Sequence, residues 1–138
     1  MSAERRSQFV DSNVLIYAHD RTADERHIRA RDLVGSLWES ETGVLSVQVL
    51  QEFLVNIRSR IGLPESRRLV ADYASWRAHS PDAIDVIEAI DIHRDYKVSF
   101  WDAMIVRSAS ELDCDVLWTE DLNAGQTYRG VRAENPFS

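Results

Sequence analysis

Short apolar runs alternate here with longer segments of helical period, and that alternation dictates strands lying parallel, each joined to the next by a crossover helix. Phe9-Val10, Val44-Leu45 and Val116-Leu117-Trp118 read as inner strands, and Ala83-Ile84 as a minimal third strand in chain order. Between them lie helical patterns: Val14 onward; Ala30, Leu33, Val34, Leu37 and Trp38; Leu50, Phe53, Leu54 and Ile57; Leu69, Val70, Tyr73 and Trp76; Val86, Ile87 and Ile90. A further stretch, Ser99 to Ala109, is apolar almost all round and is expected in the middle of the fold. The expected class is α/β, a three-layer α/β/α arrangement with a short, mainly parallel central sheet flanked by helices.

Local signals set the boundaries. Thr22 and Glu25 have capping-box spacing, as do Asp85 with Glu88 and Ser99 with Asp102. Ser46 is placed to cap the Leu50 helix, Pro64 suits a first helical turn, and His79-Ser80-Pro81 stops the helix before it. Gly130-Val131-Arg132 reads as an edge strand. No repeat or linker interrupts the pattern, so residues 1–138 are expected to form one domain.

Composition narrows the function. A net charge of −7 argues against broad electrostatic binding of nucleic acid, although Arg26, Arg29 and Arg31, and Arg58, Arg60, Arg67 and Arg68, can still form local patches or plain solvated faces. The first residues, Met1 to Gln8, are polar, and no run is long enough to cross a bilayer, so a cytoplasmic protein is expected. Cys114 is the only cysteine and lies between two aspartates, which excludes a disulfide or thiolate zinc site within one chain. His19, His27, His79 and His93 lack zinc-ligand spacing. The four tryptophans fall in apolar patterns that favour packing over base stacking, with Trp101, beside Asp102, the exception.

Four acids stand out. Asp11 and Asp121 follow apolar strands, at the carboxyl edge where parallel sheets display functional groups. Glu52 and Asp102 lie near the beginnings of helices that start from that edge. Each has an ordinary explanation: Asp11 can cap a helix, Glu52 can be a solvated surface residue, Asp102 can complete a capping box, and Asp121 can serve a turn. Taken together they converge, and crowded carboxylates need a cation to neutralise them. Oxygen ligands without His or Cys suit Mg²⁺ or Mn²⁺. Such an ion binds phosphate oxygens, makes a nucleophile of water and stabilises the leaving oxygen, which implies hydrolysis of a phosphodiester.

The residues also carry a family resemblance. Phe9-Val10-Asp11-Ser12-Asn13, the segment Ser46 to Phe53, Ser99-Phe100-Trp101-Asp102-Ala103 and Trp118-Thr119-Glu120-Asp121-Leu122-Asn123 together resemble the PIN domain, more narrowly the VapC ribonuclease toxins of bacterial toxin–antitoxin pairs. The likeness extends to Gly125-Gln126 and Asn135-Pro136-Phe137, nearly the whole chain. It implies a Mg²⁺- or Mn²⁺-dependent endoribonuclease whose Asp11, Glu52, Asp102 and Asp121 line one metal site, with Asn13 and Thr119 orienting carboxylates or water behind them. It further implies a VapB-like antitoxin partner, an RNA substrate and a homodimer. Two other readings compete with this one: a catalytically silent PIN-like interaction module, which the intact set of acids disfavours, and an aspartyl-phosphate phosphotransfer domain. The latter needs a second acid beside Asp11 and a late lysine, whereas Ser12 and Asn13 follow Asp11 and the only lysine is Lys97.

Overall fold

A computed structural model describes residues 6–138, and the polar start before Arg6 lies outside the described residues. The chain runs β1 (Gln8–Val10), α1 (Ser12–His19), a 3-10 turn (Arg21–Ala23), α2 (Glu25–Ser40), β2 (Gly43–Ser46), α3 (Val47–Ile61), α4 (Leu63–Tyr73), β3 (Arg77–His79), α5 (Ala83–Tyr96), α6 (Phe100–Glu111), β4 (Val116–Trp118), β5 (Thr127–Tyr128) and β6 (Val131–Glu134). Its sheet has the order β3-β2-β1-β4-β6-β5, parallel throughout except where β5 meets β6. The α/β expectation is thus met, with β1 central between β2 and β4.

The core follows from the apolar runs. Phe9, Val10, Leu45 and Leu117 of the inner strands are buried, and so are Val14, Leu15, Phe53, Ile57 and Val106 of the helices that cover them. Helix α1 packs on α2 and α3, α3 on α4, and α5 on α6. Gly43 has a specific reason to be glycine: a Cβ there would lie 2.6 Å from the Trp76 indole. That ring is itself wedged against Trp38 and Tyr73, with ring centres 5.1 and 5.2 Å away.

Several boundaries differ from those the pattern predicts. The third strand is Arg77–His79, not Ala83-Ile84; Ala83 instead opens α5, and Ile84 is 63% exposed. As an edge strand β3 pairs its backbone with β2 alone and buries little side-chain surface, so it leaves no apolar signature. Helix α4 accordingly ends at Tyr73, ahead of His79, and Trp76 packs from the turn that follows. The capping box of α5 joins Asp82 and Asp85, while Glu88 pairs with Arg129. Thr22 caps nothing for α2: Asp20 accepts from its N–H and hydroxyl, which starts the 3-10 turn first, and Asp24 enters α2 without a side-chain cap.

Gly130-Val131-Arg132 is likewise no edge. Strand β6 lies between β4 and β5, because a two-residue turn at Arg129 and Gly130, both with positive φ (48° and 83°), folds β5 back onto it. At the opposite edge β3 is anchored by a buried polar network. His79 Nδ1 shares a hydrogen bond with Ser108 Oγ at 2.8 Å, His79 Nε2 lies 3.3 Å from Asp85, and Arg107 Nε donates to Asp85 at 2.8 Å. Burial opposes ionisation of Asp85, but the backbone N–H of Asp82 and the Arg107 guanidinium outweigh it and hold its pKa low. Burial, more than its aspartate neighbours, raises the Cys114 thiol to about 12. Among the described residues no helix is long and apolar enough to cross a membrane.

Candidate metal centre

The carboxyl ends of β1 and β4 lie side by side, with Val10 opposite Trp118. The chain turns out of the sheet at both, so Asp11 and the loop after Trp118 are presented on one edge. Asp11 does cap α1: its Oδ1 accepts the Ser12 N–H at 2.7 Å. Its other oxygen, Oδ2, accepts the Thr119 hydroxyl at 2.8 Å, and the residue as a whole is 4% exposed. Capping is therefore a real role of Asp11, but half of its carboxylate is aimed elsewhere.

Asp102 sits in the first turn of α6. Ser99 Oγ accepts its N–H at 3.1 Å, so the cap that the spacing predicts is made, while among the described residues the Asp102 carboxylate accepts no return bond from the Ser99 N–H. Asp121 donates its N–H to Thr119 Oγ1 at 3.1 Å and accepts from Asn13 Nδ2 at 3.0 Å. Asp11, Asp102 and Asp121 each bring one carboxylate oxygen within 4.8 Å of the other two. Glu52 stands outside that group of three but adjoins it, since Ser12 Oγ donates to its Oε1 at 3.2 Å. Thr119 and Asn13 sit between the acids, Asn13 Nδ2 also reaching Asp11 Oδ2 at 3.5 Å and Thr119 Oγ1 at 3.4 Å.

The electrostatics are those of an uncompensated acidic cluster. Burial raises the Asp11 pKa to about 7, against the bonds from Thr119 and Ser12, and the charges of Asp121 and Glu52 push the same way. Burial raises Glu52 too, opposed by Ser12 and Gln48 and assisted by Asp102 and Asp121. Asp102 is raised by burial and by Asp121, with Ser99 opposing. No Arg or Lys pairs with Asp11, Glu52, Asp102 or Asp121 among the described residues. Asn13 Oδ1 is buried nearby with no hydrogen-bond partner. Carboxylate oxygens, an orphaned amide oxygen and no sulfur or imidazole make a donor set that fits a hard divalent cation.

Three residues here escaped the sequence reading. Ser12 bridges from the α1 cap to Glu52, and Gln48, one helical turn before Glu52, donates from Nε2 to the Trp101 carbonyl at 3.3 Å, tying α3 to the first turn of α6. Adjacency to Asp11 and i, i+4 spacing to Glu52 were the available signals. Lys97, read from the sequence only as the chain's single lysine, lines a cleft together with Asp102 and Asp121. Trp101 is 64% exposed, unlike a core residue.

Fold and site together define a parallel α/β domain with a cation-competent acidic cluster at the carboxyl edge of its sheet. The chain belongs to the PIN domain family, whose model matches residues 9–130. A search of curated proteins finds no match. Among solved structures the chain is similar to Mycobacterium tuberculosis VapC20, a Sarcin-Ricin loop cleaving toxin, with a TM-score of 0.64 and 21% identity, covering 80% of this chain and 87% of that one. It is similar to a toxin–antitoxin complex from Klebsiella pneumoniae, with a TM-score of 0.71, 17% identity and coverage of 94% and 98%. DNA-bound VapBC from Salmonella typhimurium gives a TM-score of 0.68, 17% identity and coverage of 96% and 99%. At these identities the likeness is one of fold.

Proposed function

We propose that this chain, as one domain spanning residues 1–138, is a Mg²⁺- or Mn²⁺-dependent endoribonuclease, the cytoplasmic toxin of a VapBC-type toxin–antitoxin pair. The observation that carries the reading is the approach of Asp11, Asp102 and Asp121 oxygens to within 4.8 Å of one another, with no basic partner among the described residues. Those three acids would hold the ion, with Glu52 alongside. A bound divalent ion supplies an acidified water and charge stabilisation at phosphate oxygens.

The chain's own groups do the positioning. Thr119 Oγ1 and the Ser12 N–H fix the two Asp11 oxygens, and Asn13 Nδ2 fixes Asp121. Gln48 and Ser12 hold Glu52, whose raised pKa suits it to accept a proton from an attacking water. Trp101, exposed beside Asp102, offers a ring face to a base of single-stranded RNA. Asp11 is poorly placed as a phosphoryl acceptor, being buried with both oxygens hydrogen-bonded, which favours hydrolysis by water over an aspartyl-phosphate route. The similarity to VapC and VapBC structures supports an antitoxin partner. A homodimer is supported by the apolar row Ile84, Ile87 and Ile90 left exposed on α5.

The test is cleavage of single-stranded RNA with Mg²⁺ or Mn²⁺. Asp11→Asn and Asp102→Asn should abolish it while the fold survives, and products should carry 5′-phosphate and 3′-hydroxyl ends. Undiminished cleavage in EDTA, or 2′,3′-cyclic ends, would overturn the mechanism, and absence of turnover by the wild type would leave an interaction module.

A further inference from the structure

Lys97 is the only lysine of the chain and closes α5 as its C-cap, at φ 57°. Glycine is the default in that left-handed conformation, which other L-residues adopt only against a steric penalty. The lysine lines a cleft of about 300 Å³ with Ser99, Asp102, Asp121, Asn123 and Tyr128. The cleft is stiffly built: the Tyr96 and Tyr128 rings pack 5.2 Å apart, Tyr96 Oη accepts the Arg129 N–H at 3.0 Å, and Tyr128 Oη accepts the Asn123 N–H at 3.3 Å. Two aspartates share it, yet among the described residues no carboxylate pairs with the Lys97 ammonium. The nearby arginines are committed, Arg129 to Glu88 and Arg26 to Glu120.

A single strand of nucleic acid brings repeated phosphates to a chain of net charge −7. A cation among the acids serves the phosphate at the cluster, and a lysine beside it can take the neighbouring phosphate and release that phosphate's counterions. We propose that the Lys97 cleft is the subsite for the nucleotide adjoining the scissile phosphate, Lys97 Nζ pairing with its phosphate and the Ser99 hydroxyl and Asn123 amide meeting its sugar or base. The inference rests on the nuclease reading in taking RNA as the ligand.

The decisive variant is Lys97→Gly, which removes the charge while suiting the positive φ, so it should melt at or above wild type. Binding of a 5′-labelled single-stranded oligoribonucleotide is followed by fluorescence anisotropy with Ca²⁺ in place of Mg²⁺, from about 0.1 to about 1 M salt. One lost phosphate contact should make the negative slope of log K on log salt shallower by about 0.7, hence weaken binding about fivefold at the low-salt end and hardly at all at the high-salt end. Lys97→Arg should keep the wild-type slope. Equal affinities and slopes for wild type and Lys97→Gly, or no binding by wild type, would overturn the subsite. Binding with the expected slope change but no cleavage in Mg²⁺ would keep the subsite and sink the hydrolytic reading, whereas cleavage with unchanged slopes would do the reverse.

Discussion

Asp11 is pulled in two directions: capping and the Thr119 hydroxyl favour its charged form, and burial beside Asp121 and Glu52 disfavours it more. Its folded pKa of about 7 lies above the ordinary 3.8, so the folded state keeps a proton that the unfolded chain has released. Metal-free stability should therefore fall as pH rises from about 4 to about 7, by on the order of 4 kcal/mol from this residue. Thermal melts in EDTA across that range check the sign; a melting temperature rising with pH would contradict it. Mn²⁺ must displace the same proton, so the metal-induced rise in melting temperature should be larger at pH 8 than at pH 5.5. Saturation at about 100 times Kd corresponds to about 2.7 kcal/mol. At pH 8, Asp11→Asn and Asp102→Asn should melt at or above wild type in EDTA, because an amide removes repulsion, and should lose most of the metal response. Equal metal responses in all three proteins would mean that the acids form no common site.

Among the elements, β2 and β3 carry the least conventional packing. Gly43 lets the backbone of β2 touch the Trp76 ring, and that ring cannot retreat because Trp38 and Tyr73 hold it from other sides. Gly43→Ala should cost about 1–3 kcal/mol by overpacking, read from denaturant melts. Trp76→Phe in the same chain should recover part of the loss, since residues in contact couple. Additive losses would show that the Cβ meets something other than the indole. The β3 edge depends on polar contacts instead, with Asp85 serving at once as capping-box partner of Asp82 and as counter-ion of Arg107.

For the molecule as a whole, the proposed function puts an antitoxin on the acidic cleft and a second copy on the α5 face. Co-expression from the native operon should bring down a small antitoxin, whose arginines can pair with the clustered carboxylates two oxygens at a time. Purification without any such partner would count against the toxin reading. If copies of the chain meet through Ile84, Ile87 and Ile90, then Ile87→Glu should convert a dimer to a folded monomer in light scattering, and an unchanged mass would place the contact elsewhere.

Period and local chemistry were enough to read the α/β class, the inner strands β1, β2 and β4, the Ser46 and Ser99 caps and the strand-end placement of Asp11 and Asp121. Those features are written in side-chain burial and short-range hydrogen bonds, which a sequence displays directly. Edge strands are different. Arg77–His79 pairs through its backbone with a strand some thirty residues earlier, and β6 became an inner strand only because a turn at Arg129 and Gly130 brought β5 outside it. The same holds at the site: Asp102 and Asp121 are separated in sequence, and Lys97 joins them because Tyr96 packs on Tyr128 and aligns the end of α5 with the loop after β4. Sequence alone determined which residues could do chemistry at the ends of strands and helices, and the long-range packing of α5 and α6 against the sheet decided which of them stand together.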